Sequence, residues 1–165
     1  MSAYKSALAI VASVLFVSCD EPPKPQLADA DRQYFDDVGG IIYPLEARFE
    51  HIKVLVGHAE PANPRWLDAL AKDADELDTF AARISQLHPP DSLIDYNQRL
   101  LTVATELGHA AESLRASIKY ARSGNTKAAV SQIQQAGTAM VAIGQIITEL
   151  TERTRKSETE TGNVP

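Results

Sequence analysis

The chain has one cysteine, one tryptophan, and aromatic side chains at only 6% of its 165 positions. A lone cysteine excludes an internal disulfide and any Cys-x-x-Cys device, including covalent haem attachment. No apolar run reaches the roughly 20 residues that a spanning helix needs; residues 6–17, SALAIVASVLFV, stop well short. No stretch alternates polar and apolar residues with a period of two, so strands are absent from the expected fold. The chain also lacks a G-x-S-x-G elbow and a Gly-rich phosphate loop, and with them two common routes to nucleophilic and phosphoryl chemistry. Sixteen Lys and Arg face 22 Asp and Glu, giving a net charge of -6. Without a basic stripe such a chain cannot replace the counterions around phosphates, so nucleic acid is not an expected partner.

What is present is a regular helical spacing. Phe35, Val38, Ile42, Leu45, Phe49, Ile52 and Val56 recur at steps of three and four, the apolar stripe of a helix packed along its length. A second stripe runs through Leu67, Leu70, Ala74, Leu77, Ala81 and Ile84. A third runs through Leu93, Tyr96, Leu100, Val103, Leu107, Ala110 and Leu114, and a fourth through Ala129, Ile133, Ala136, Met140, Ile143, Ile147 and Leu150. The breaks are short: HAEPANP, with Asn63 as N-cap and Pro64 at the first helical position; HPPD around Pro89 and Pro90; and SGN at residues 123–125. Short connections make neighbours antiparallel, so the expected fold is all-α, an up-down four-helix bundle over residues 31–154. Pro44 lies inside the first stripe, four residues after Gly40, and predicts a kink near Gly39–Pro44. Curvature around the core, a hinge or pocket lined by Tyr43, and a full break near Gly39 all remain open from sequence alone.

The amino terminus has a different character. Lys5 precedes the apolar run, and Ser18 and Cys19 follow it, the layout of a signal peptide over residues 1–18. Leu15-Phe16-Val17-Ser18-Cys19 resembles the lipobox of bacterial lipoproteins. The resemblance implies cleavage between Ser18 and Cys19, acylation of Cys19 with palmitate-type chains, and an extracytoplasmic protein anchored to a membrane. In Gram-negative families with similar signals an aspartate after the cysteine implies retention on the periplasmic face of the inner membrane, and Asp20 occupies that position. Asp20 and Glu21 also argue against a catalytic thiolate, which needs positive neighbours to lower its pKa. Residues 19–30, with three prolines, read as a stiff tether that holds the domain within roughly 30 Å of the bilayer at about 3.1 Å per residue. Residues 155–165 are polar and unpatterned and read as a flexible tail.

Candidate chemistry within the bundle is sparse. Glu106 and His109 form a Glu-x-x-His pair, but a di-iron bundle needs two, and His109 points away from the apolar seam. His51 and His58 share a face of the first helix at a spacing too long for one metal ion without further ligands. Met140 has no histidine opposite it at a core position, so haem ligation lacks its second partner. No metal, cofactor or catalytic residue is therefore expected, and inward positions are expected to be apolar. From Ala128 to Thr148 the chain carries no charge. The outer side of that helix offers Ser131, Gln135, Thr138, Ala142 and Gln145, flanked by Gly137, Val141 and Gly144. Small uncharged residues permit close approach and mark this side as a face for a protein partner or a second copy. The segment LHPPDSLIDYNQRLLTVATELGHAAESLRASI also resembles a broad group of small secreted or lipidated bacterial helical proteins, a likeness that implies the fold and no activity. The expected function is a lipid-anchored, non-enzymatic envelope protein acting as an interaction or scaffold module. The alternative is a periplasmic bundle that binds haem, a metal ion or a small apolar ligand.

Overall fold

A computed structural model describes residues 28–161, with side chains described as far as residue 152. The expectations for Ser18, Cys19 and the signal segment lie outside the described residues. Four helices account for nearly all of the described chain: α1 (Asp29–Gly57), α2 (Pro64–Ser85), α3 (Ile94–Arg122) and α4 (Thr126–Thr161). A single 3-10 turn, Asp91–Leu93, leads into α3. No strand occurs among the described residues.

The helix ends follow local chemistry. Asn63 caps α2, its side-chain oxygen accepting from the Arg65 amide at 3.0 Å, and Pro64 takes the first helical position, where its missing N–H costs nothing. Gly124 takes φ +75° in the turn after α3, a conformation that a side chain resists. Asn125 then accepts from the Ala128 amide at 3.1 Å and so caps the start of α4. The helix α4 continues to Thr161, into the stretch expected to be a tail. Residues 152–161 hold no Pro or Gly and include Glu, Lys and Arg, which favour helix even without an apolar stripe.

The core is formed mainly by aliphatic side chains from all four helices, with Leu45 of α1, Leu70 and Leu77 of α2, Leu107 and Leu114 of α3 and Ile143 of α4 fully buried, and with Tyr34, Trp66 and Phe80 among them. Full burial of one such side chain contributes about 1.5–3 kcal/mol. Close seams join α1 to α2, α2 to α3 and α3 to α4, whereas no comparable seam joins α1 to α4. This asymmetry corrects the expected face of α1. Tyr34 and Ile41 are buried where Phe35 and Ile42 were expected, and those two lie half-buried at the edge. With α4 held away, the apolar face of α1 is turned toward α2 and α3, and the Tyr34 hydroxyl donates to Asn97 Oδ1 at 2.8 Å.

Pro44 does not break α1, which is continuous from Asp29 to Gly57, so the full break near Gly39 is ruled out. Proline has no N–H to give the Gly40 carbonyl. That carbonyl is met from outside the helix, by Arg83 Nη2 of α2 at 3.0 Å.

Candidate functional site

Inward positions are not uniformly apolar. Asp73 of α2 is 0% exposed, and Asn97 and Ser117 are also buried. Asp73 lies beside Ala74 in the second stripe, one residue off the expected core position, and the α1–α2 seam covers both. Its carboxylate is met by two cationic or potentially cationic groups of α1, three residues apart. Arg48 Nη1 donates to Oδ1 at 2.7 Å, and His51 Nδ1 lies 3.1 Å from Oδ1 and 3.0 Å from Oδ2. A carboxylate only accepts, so the His51 tautomer with the proton on Nδ1 fits this contact. Arg48 also pairs with Glu76, one turn further along α2. The cluster fastens the C-terminal half of α1 to the middle of α2. A buried charge that keeps its partners is tolerated, and one that loses them costs about 3–5 kcal/mol.

This arrangement explains what the histidines do. His51 serves the Asp73 carboxylate, and His58 caps the exposed end of α1. His109 is largely exposed and 3.7 Å from Glu106, on the solvent side as its spacing predicted. Among the described residues, no three His, Cys, Asp or Glu side chains converge as metal ligands would. Both oxygens of Asp73 are already engaged by Arg48 and His51. The clue to the cluster was present in the sequence as Arg48 and His51 at i and i+3 on α1 and an acidic residue, Asp73, next to an apolar stripe on α2. A rule that assigns every inward position to an apolar residue misses it.

The outer face of α4 is where the charge-free run meets solvent. Ser131, Gln135, Thr138, Gly144 and Gln145 are exposed, Gly137 and Ala142 are half-buried, and Val141 is 63% exposed. The face is therefore a surface and not the flank of a deeply buried helix. A side chain added at Gly137 or Gly144 would meet nothing within 4 Å, so both positions lie open. The hydroxyls of Thr138 and Thr148 donate within their own helix, to the Gln134 carbonyl at 3.0 Å and the Gly144 carbonyl at 2.9 Å. Their polarity is thus already satisfied, and a partner can cover them without stranding a donor. Over about 26 Å of helix this side presents uncharged groups.

The surface ion pairs at the other two seams are structural in character. Arg115 of α3 reaches Asp75 at 2.8 Å and Asp78 at 2.5 Å on α2, and these hydrogen bonds raise the pKa of its guanidinium further. Arg99 of α3 pairs with Glu149 of α4. Exposed pairs of this kind contribute about 0–1 kcal/mol each, so they set helix register more than stability. No helix among the described residues is long and apolar enough to cross a membrane. Comparison with protein-family models, curated proteins and solved structures finds no match for this chain.

Proposed function

We propose that this chain is a lipid-anchored, non-enzymatic protein of the bacterial envelope, held at a membrane through Cys19 and acting as an interaction or scaffold module through the outer face of α4. The observation that carries the interaction reading is the exposed, uncharged surface around Val141. On a chain of net charge -6, most surfaces repel a second acidic protein, and depletion of charge is the compositional mark of an interface centre. The anchor rests on the lipobox-like residues Leu15 to Cys19, and Asp20 favours the periplasmic face of an inner membrane. The first helix starts at Asp29, so the tether from Cys19 is about ten residues long and keeps the α4 face close to the bilayer.

An up-down antiparallel order of the helices, with α1 bent near Gly39–Pro44, belongs to the same proposal. Cross-helix partners support the order. Along α1, positions 40, 48 and 55 meet positions 83, 73 and 66 of α2, and positions 68 and 75 of α2 meet 122 and 115 of α3. The transfer of the Gly40 carbonyl to Arg83 supports the bend.

Metabolic labelling with a radioactive or clickable fatty acid tests the anchor. The wild-type chain takes the label and pellets with membranes, and Cys19→Ser abolishes both. Label that persists in Cys19→Ser overturns the reading.

A further inference from the structure

The missing seam between α1 and α4 leaves an open groove of about 510 Å³, and we propose that it binds a small organic cation with an apolar body. The volume lies within the roughly 300–1,000 Å³ of small-molecule sites. Its floor is apolar and belongs to the core: Val38, Leu100 and Leu150 are buried there, while Phe35, Ile42 and Ile147 form half-buried walls. The groove does not close because α1 is fastened elsewhere. Arg48 and His51 hold it to Asp73, Arg83 holds its Gly40 carbonyl, and the Trp66 indole donates to the Leu55 carbonyl at 2.8 Å. All three fastenings pull α1 toward α2.

The charge of the rim selects the sign of the ligand. Asp36 and Glu46 border the groove, and among the described residues neither is hydrogen-bonded or ion-paired. Arg32, the one cation that lines the groove among the described residues, is already 3.6 Å from Asp29. Between the two free carboxylates stands Tyr43, 75% exposed, with its ring lying back over Gly39. A β-carbon at Gly39 would come within 3.3 Å of that ring, so glycine leaves room for the aromatic face at the mouth. Tyr96 and Phe35 add an edge-to-face pair, ring centres 5.3 Å apart, at one end. Carboxylates beside aromatic faces above an apolar floor match an ammonium or amidinium group carried on a hydrocarbon or aryl body. This site is separate from the α4 face and does not depend on the anchor.

Phenylbutylammonium and phenylbutyrate share one apolar body and differ in charge, so they form a matched pair of probes. The mature protein in phosphatidylcholine nanodiscs is titrated calorimetrically with each, against empty discs. The amine binds saturably at one site, about ten-fold tighter than the acid, because exposed carboxylates contribute up to about five-fold each. Asp36→Asn/Glu46→Gln lowers amine affinity about ten-fold. The double variant Asp68→Asn/Glu112→Gln removes equal charge from exposed sites away from the groove and leaves affinity unchanged. Amide shifts in NMR spectra centre on Tyr43, Ile42 and Ile147. Equal binding of acid and amine, equal loss in both double variants, or heat no different from empty discs overturns the proposal. So does binding of a cationic amphipathic peptide alone.

Discussion

Arg83 of α2 donates to the carbonyl of Gly40 in α1, 3.0 Å away, the one backbone acceptor that Pro44 leaves without its helical partner. The defect in one helix is repaired by its neighbour, and the repair becomes a fastening between them. This predicts coupling between two positions that do not touch by side chain. Arg83→Ala costs about 1 kcal/mol, the net value of one hydrogen bond. Pro44→Ala supplies an N–H and a better helix former, and stabilises by up to about 3 kcal/mol. In the Pro44→Ala background the cost of Arg83→Ala shrinks toward zero. Urea unfolding of the four variants measures the coupling, and additive effects would rule out the repair.

The Asp73 cluster makes an asymmetric prediction. Arg48→Met leaves a fully buried carboxylate with only His51 and costs about 3–5 kcal/mol. Arg48→Met/Asp73→Leu removes both charges and recovers most of that loss, since a well-packed apolar replacement for a buried pair is commonly neutral or better. Thermal unfolding monitored by circular dichroism reads both. If the double variant is less stable than the single, Asp73 has a role beyond fastening α1.

Ser117 predicts the opposite sign. Its hydroxyl is fully buried in α3 and has no hydrogen-bond partner among the described residues. Removing an unpaired polar group relieves its desolvation, so Ser117→Ala stabilises by up to about 1 kcal/mol. Chemical denaturation checks it, and a loss of stability would mean that the hydroxyl is bonded in solution.

These three sites show what the sequence could and could not disclose. The number of helices, the Asn63–Pro64 start and the Gly124 turn were legible because each depends on a few neighbouring residues. The rotation of α1 was not. Phe35 and Tyr34 are both large and aromatic, and which one faces inward is decided by the absence of an α1–α4 seam, a property of the whole bundle. Asp73 was hidden by the same logic, since a charged residue beside an apolar stripe reads as solvated until a partner helix brings Arg48 and His51 over it. The outer side of α4 was legible in the sequence only as uncharged, and its residues are largely exposed.

Tyr34 gives the pH prediction. Burial first, and then the neighbouring Tyr96, push its phenol up from 10.0 to about 12. The folded state holds the proton that the unfolded state has lost between those values, so this contribution is complete below pH 10 and disappears as pH rises toward 12. The decline is about 1.4 kcal/mol per pH unit at most. Tyr34→Phe loses the hydrogen bond to Asn97 and about 1 kcal/mol at pH 8, but escapes the alkaline decline. The stability gap between wild type and Tyr34→Phe therefore narrows, then reverses, from pH 10 to 12. A constant gap across that range would show that Tyr34 ionises freely.

The α4 face yields the prediction that bears most directly on function. Val141 is exposed in the middle of the uncharged surface, so Val141→Glu changes folding stability by no more than about 0.5 kcal/mol. The same change at an interface centre buries an unpaired charge and weakens association by at least about 2 kcal/mol, roughly thirty-fold. The two effects separate cleanly. In the Cys19→Ser background, Gln145→Cys places a thiol on that face and nowhere else, because the chain has no other cysteine. A bismaleimide then joins Gln145→Cys either to a second copy or to a partner, and Val141→Glu in the same chain abolishes the adduct. A control thiol at Glu112→Cys, on α3, gives none. An adduct from Glu112→Cys of equal yield, or one from Gln145→Cys that survives Val141→Glu, would mean that the α4 face is ordinary solvent-exposed helix.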